Sequence, residues 1–201
     1  MNSNDVEYIH LTDIEYQRCE DLGTERHTNN MRNGVRTQKI SKKKTDLEIS
    51  IEGVMGEYAT MSVLGLGGFD DIRTDKADKR GDIRLYNGEF VEVKLTGAMG
   101  GDFLIEGADV YELFRAEYGV LVWKPPADSP RVAIGQPLYR TLAVVGWCDK
   151  SLFLDSMEWM EWLPRPTYGM PWHMLTPLER LREHLAWVPV GVTNQASQGP
   201  F

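Results

Sequence analysis

Apolar residues recur along this chain at two periods, and the change from one to the other marks out its elements. Between Asp46 and Leu64, Leu47, Ile51, Val54, Met55, Tyr58 and Met61 fall three and four residues apart. That spacing predicts one helix with a single apolar stripe. Gly53 and Gly56 interrupt it, each at a cost of about 1 kcal/mol relative to alanine. They therefore predict close approach of another part of the chain. Gly65, Gly67 and Gly68 end the helix. Upstream, Thr12 and Glu15 have capping-box spacing, which predicts a helix from about Asp13 into the twenties. Asn29, Asn30, Asn33 and Gly34 read as its break.

The period then shortens to two. From Asp82 to Leu95 two alternating segments flank Asn87-Gly88, a strong short-range hairpin signal. Gly97 to Gly101 follows as a glycine-rich exit. A helix is predicted over Ala108 to Glu117 and a buried strand over Tyr118 to Trp123. A proline-marked loop holds Pro125, Pro126 and Pro130, and a further strand runs from Thr141 to Trp147. Ser151 to Leu163 is rich in aromatics and matches neither period. Thr176-Pro177-Leu178-Glu179 joins a capping box to a proline at the first helical position, so a helix to about Ala186 is expected. The resulting division is an N-terminal helix and basic segment (1–45), a core (46–150), an aromatic-rich extension packing on it (151–188) and a flexible tail (189–201).

Chemistry concentrates on the hairpin. Glu92 and Lys94 are two apart on a strand and share a face, while Val91, Val93 and Leu95 point the other way. Asp82 joins them only under a condition of parity. A two-residue Asn-Gly turn sets Ile83 opposite Glu92 and turns Asp82 away. A three-residue loop over Asn87 to Glu89 pairs Tyr86 with Phe90, Arg84 with Glu92 and Asp82 with Lys94, uniting the three on one face. The active-site reading thus predicts an odd loop or a bulge. Phosphodiester hydrolysis uses a divalent cation to activate water and screen the phosphate, and Mg2+ takes one or two protein carboxylates. Asp82 and Glu92 supply such a pair, and Lys94 supplies a compact positive charge for water or phosphate.

Composition sets bounds on this. With 201 residues the chain makes one well-cored domain. It has no apolar run of membrane-spanning length, and its start, MNSNDVEYIH, lacks the features of a secretory leader. Two cysteines, Cys19 and Cys148, make no disulfide framework, so the expected setting is the cytoplasm. A net charge of -8 argues against a protein whose main task is to coat nucleic acid. The positive charge is uneven, however. Arg26, Arg32, Arg36, Lys39, Lys42, Lys43 and Lys44 fall in one stretch, which is either a basic face or a solvated loop.

Gly81-Asp82, then Glu92-Val93-Lys94, preceded by a helix bearing Gly56-Glu57, resembles the PD-(D/E)XK nuclease superfamily over residues 46 to 147. The resemblance implies an α/β fold with a restriction-endonuclease-like core, a mixed β-sheet flanked by helices on both faces. It implies a Mg2+- or Mn2+-dependent deoxyribonuclease, of a kind found in phages and mobile elements, with DNA as partner and no organic cofactor. Asp82, Glu92 and Glu57 would bind the metal, the same three with Lys94 would be catalytic, and Glu57 would be the helical acid, with Glu52 the weaker candidate. Arg36, Lys39, Lys42, Lys43 and Lys44 would hold the DNA backbone. One departure stands out: Gly81 precedes the aspartate where the superfamily has proline. The alternatives are an RNA-directed nuclease with the same centre and a nuclease-fold binding or assembly module without activity.

Lesser signals have ordinary readings beside functional ones. Glu57 on its own is an exposed helical glutamate or a ligand facing the hairpin. Asp70, Asp71, Asp75 and Asp78 lie in an irregular stretch and are expected to be solvated. His10, His27, His173 and His184 have no metal-site spacing. The turn at Gly97 to Gly101 is a mobile turn, or a place where backbone approaches DNA. Trp147, Trp159, Trp162, Trp172 and Trp187 are expected to pack, with a homodimer interface as a second use.

Overall fold

The computed structural model describes residues 6–35, 44–75, 80–98, 100–107, 109–125, 140–163 and 165–186. Its centre is a five-stranded mixed sheet in the order β1 (Glu7–His10), β6 (Thr141–Asp149), β5 (Tyr118–Trp123), β3 (Phe90–Thr96) and β2 (Ile83–Arg84). Only β3 and β5 run parallel, with Glu92 beside Gly119 and Lys94 beside Leu121. The other neighbours are antiparallel. Two helices, α1 (Asp13–Arg32) and α2 (Asp46–Leu64), pack on each other, and α2 lies against β3. Both begin with a complete capping box, Thr12 with Glu15 and Thr45 with Glu48. Gly65, left-handed at φ 64°, closes α2.

The sheet separates two cores. On the α1 and α2 side, Val54, Met55, Ala59 and Leu22 meet Val91, Val120, Val122 and Val144, joined by Leu178 and Leu181 of α5 (Leu178–Ala186). On the other side lies a three-stranded antiparallel sheet in the order β4 (Phe103–Glu106), β8 (Thr167–Met170), β7 (Glu158–Trp159). Short helices α3 (Val110–Leu113) and α4 (Lys150–Ser156) accompany it, and Phe103, Phe114 and Phe153 pack there with centroids 5.0–5.7 Å apart, Phe153 edge-on to both and Phe103 tilted against Phe114. The expectation of helices on both faces thus holds fully on one face. The second face is covered chiefly by a small sheet, and the architecture is mixed α/β.

Several boundaries moved. Helix α1 runs through Asn29 and Asn30 to Arg32, because the run of helical hydrogen bonds continues until Asn33 donates back to Asn29. The helix expected over Ala108 to Glu117 shrinks to Val110–Leu113. Strands β1, β4 and β8, four residues each, were not foreseen. The stripe on α2 widens until Gly56, Glu57, Ala59 and Thr60 are also buried. Close approach at the two helical glycines is modest: a Cβ at Gly56 would sit 3.4 Å from Val93, and one at Gly53 3.5 Å from the Arg26 guanidinium. The demanding glycine is Gly23 in α1, where a Cβ would lie 2.5 Å from Ile51 Cα. No described helix is long and apolar enough to cross a membrane.

Candidate active site

The hairpin settles the parity question. Ile83 pairs with Val91 and Arg84 with Phe90, and Leu85 N–H donates to Glu89 O at 2.8 Å. The loop is therefore Tyr86-Asn87-Gly88, three residues, with Gly88 left-handed at φ 91°. The expected odd loop is present, one residue nearer the N-terminus than Asn87–Glu89. Asn87 Oδ1 accepts from Glu89 N–H at 3.1 Å and fixes the turn. Continued by one residue, the register sets Asp82 across from Glu92 instead of Lys94.

Beyond Ile83 the two strands part, and Asp82 fills the gap. Its backbone N–H donates to Val91 O at 2.9 Å, while its Oδ2 accepts from Val93 N–H at 2.8 Å. The carboxylate thus takes the place of a missing backbone partner at the edge of β3. Gly81 makes this possible: a Cβ there would lie 2.9 Å from Phe90 Cβ and 3.1 Å from Val91 O. Packing thereby accounts for a glycine at this position.

Lys94 Nζ donates to Glu92 Oε1 at 2.6 Å, and the two side chains keep 36% and 24% of their exposure. Solvent reaches this side of the site. Glu57 approaches from α2, 5% exposed, with both oxygens bound by Arg26 of α1 at 2.5 and 2.7 Å. The Arg26 guanidinium also donates to Arg73 O, from Nε at 3.1 Å and Nη2 at 2.6 Å. Asn29 Nδ2 adds a bond to Thr74 O at 3.0 Å, so α1 pins the segment that leads toward Asp82.

The charges feel one another. Desolvation first, then the Glu92 and Glu57 carboxylates, push the Asp82 carboxyl well above its ordinary range, against the pull of Lys94 and the Val93 N–H. Desolvation also raises Glu57, outweighing the opposing Arg26 contacts, and Glu92 adds to the rise. For Lys94, desolvation disfavours the ammonium, yet Glu92 and Asp82 outweigh it and hold the group charged. Three carboxylates, Asp82, Glu92 and Glu57, and two cations, Lys94 and Arg26, thus lie within electrostatic reach of one another, Glu57 and Arg26 on the α2 side of β3 and Glu92 and Lys94 on its other face.

Other sequence candidates fall elsewhere. Glu52 is held by Lys44 at 2.5 Å and Lys124 at 3.2 Å, and these two lysines occupy its carboxylate. Arg26, counted in the basic stretch, is committed to Glu57. Arg36, Lys39, Lys42 and Lys43 lie outside the described residues. Lys44 lies within them, its Nζ 3.9 Å from where a Cβ on Gly97 would stand, so the stretch ends beside the turn after β3. Asp70 is exposed with Arg18 at 3.7 Å, Asp71 Oδ2 accepts from Gly68 N–H at 3.1 Å, and Asp78 lies outside the described residues. Trp147 is buried, its Nε1–H donating to Pro177 O at 3.0 Å. Trp159 and Trp162 are exposed, and Trp187 lies outside the described residues. Among the described residues, no set of three His, Cys, Asp or Glu side chains is grouped to hold a metal ion.

Arg26 is the residue that the sequence reading missed. Cys19, Leu22, Gly23 and Arg26 follow helical spacing, and the first three are buried. An arginine on a buried stripe calls for an acid partner, and that was the available signal.

A family model described as a family of unknown function, DUF5843, matches residues 6–120. The chain belongs to this family. In this DUF5843 member the matched region runs from the start of β1 into β5 and takes in Arg26, Glu57, Asp82, Glu92 and Lys94. No curated protein and no solved structure matches the chain.

Proposed function

We propose that this DUF5843 chain is a metal-dependent DNA nuclease with a restriction-endonuclease-like core formed by α2, β2, β3, α3, β5 and β6. One observation carries the reading: Asp82, bonded to Val93 N–H, lies within the electrostatic reach of Glu92 and Lys94. An acid–acid–lysine set gathered at a partly open strand edge suits phosphodiester hydrolysis. The excess of one carboxylate over the nearby cations favours a bound cation. Asp82 and Glu92 would hold it, a donor number usual for Mg2+ and acceptable for Mn2+. There the ion would lower the pKa of a water and screen the phosphate.

Lys94 keeps its charge and contributes it to the phosphate or the attacking water. Glu57 acts through its field, since Arg26 engages both its oxygens. Lys44 and the basic residues before it would hold the DNA backbone in a salt-sensitive way. The reading carries with it an intracellular setting, in a cell or a phage-infected host.

The test is incubation with linear, circular, single-stranded and branched DNA, and with RNA, in Mg2+ or Mn2+ and in EDTA. Cleavage of a DNA substrate that EDTA stops is the expected result. Cleavage of RNA alone would move the assignment to an RNA-directed nuclease. The engagement of Glu57 by Arg26 favours a second reading, a nuclease-fold module that binds DNA without cutting it. Binding with every substrate left intact would select that reading.

A further inference from the structure

On the face of β3 that carries Glu92 and Lys94, the next residue is Thr96, and Thr96 forms one wall of a cavity. Tyr8, Leu121, Trp123, Val145 and Trp172 form much of the rest. Leu121 is the register partner of Lys94, and Trp123 that of Thr96. Strand neighbours lie about 4.8 Å apart, so the cavity wall reaches the strand position next to Lys94. Val145 comes from a register irregularity between β5 and β6, where Leu121 faces Gly146 and Val122 faces Val144.

Trp123 is 6% exposed, and its Nε1–H is buried without a hydrogen-bond partner among the described residues. Buried donors are nearly always satisfied, and an unsatisfied one costs free energy. Ala98, Gly100 and Gly101, after β3, form part of its rim. Gly100 is left-handed at φ 71°, and a Cβ there would lie 3.0 Å from Trp172 Nε1. A Cβ on Gly101 would lie 2.7 Å from Thr96 Oγ1. Gly100 and Gly101 thus stand close against the cavity wall.

We infer that this cavity receives the edge of an unpaired nucleobase. A base carbonyl oxygen accepts from Trp123 Nε1–H, and the neighbouring aromatic side chains contact the ring. The space of about 50 Å3, open on one side, exceeds the share of one water, about 30 Å3, and falls below the roughly 150 Å3 that admits benzene. It takes a ring edge, not a whole ring, with the remainder at the mouth. The inference rests on the nuclease reading for the nucleic-acid ligand and for the placement of the adjoining phosphate at Lys94, whereas the donor and the space are properties of the cavity itself.

The test is fluorescence anisotropy in EDTA with labelled oligothymidylate and an abasic strand of equal length. The wild-type chain is expected to prefer the base-bearing strand about tenfold. Trp123→Phe removes the donor and keeps a ring. It is expected to abolish that preference while leaving the unfolding midpoint unchanged or higher. As a second readout in the wild type, the Trp123 indole N–H resonance should shift when oligothymidylate is added. Equal binding of the two strands, a preference that survives in Trp123→Phe, or an unmoved resonance would overturn the inference in favour of a cavity holding water. The two readings fail separately. Base preference without cleavage in Mg2+ contradicts the nuclease, and cleavage without base preference contradicts the pocket.

Discussion

Asp82 is held where ionising it is costly, and that cost sets a sign for its effect on stability. Its carboxyl sits well above the ordinary value of 3.8 in the folded chain. A group raised in this way favours the fold below its unfolded pKa, and the contribution is lost as pH rises through the folded value. Asp82→Asn keeps an oxygen for Val93 N–H and removes the charge. It should raise the urea midpoint at neutral pH and leave it nearly unchanged near pH 3. An equal gain at both pH values would refute the assignment of the shift. Arg26 makes the complementary case. Removing one member of a buried ion pair costs about 3–5 kcal/mol, whereas well-packed apolar replacement of both is close to neutral. Arg26→Ala should therefore destabilise strongly, and Arg26→Met with Glu57→Leu should recover most of the loss. A cost below about 1 kcal/mol for Arg26→Ala would contradict the role of the pair. At this scale the shared face of Glu92 and Lys94 was legible from strand parity alone. The Arg26–Glu57 bond was not, because nothing local links residues 31 positions apart.

At the scale of elements, legibility follows the range of the interactions that make each one. Helix α2 and strand β5 have the predicted bounds, Asp46–Leu64 and Tyr118–Trp123, because periodicity and end signals lie within each segment. Strand β1 is four residues long and exists because it pairs with β6 far along the chain, His10 against Thr141. Strands β4 and β8 are likewise made by each other, Phe103 against Met170. No short window carries that information. The glycines separate in the same way. Gly56→Ala places a Cβ at ordinary contact distance from Val93 and gains helix propensity. It should be neutral or stabilising by up to about 1 kcal/mol. Gly23→Ala drives a Cβ into the Ile51 backbone and should destabilise by about 1–3 kcal/mol as α1 and α2 are forced apart. Denaturation of the two variants side by side checks this, and the reverse order would contradict the described packing of α1 on α2.

For the whole molecule, the main sheet gathers distant pieces of chain around one strand edge. α1 supplies Arg26, α2 supplies Glu57, the end of β2 delivers Asp82, and β3 carries Glu92 and Lys94. The small sheet of β4, β8 and β7 backs the opposite core. Residues of β1, β5 and β6 extend the Lys94 face into the cavity beside Trp123. The candidate centre was legible because its three principal residues lie within one hairpin, whose loop parity is a local property. The second sheet and the cavity were not, since each is assembled from segments that meet only in the folded chain. The most direct measurement is the Mg2+-dependent cleavage rate of DNA by the wild-type chain, Asp82→Ala and Lys94→Ala, each first shown to be folded. The account predicts cleavage by the wild type and a loss of at least about a hundredfold in each variant. Cleavage that survives both substitutions would contradict it.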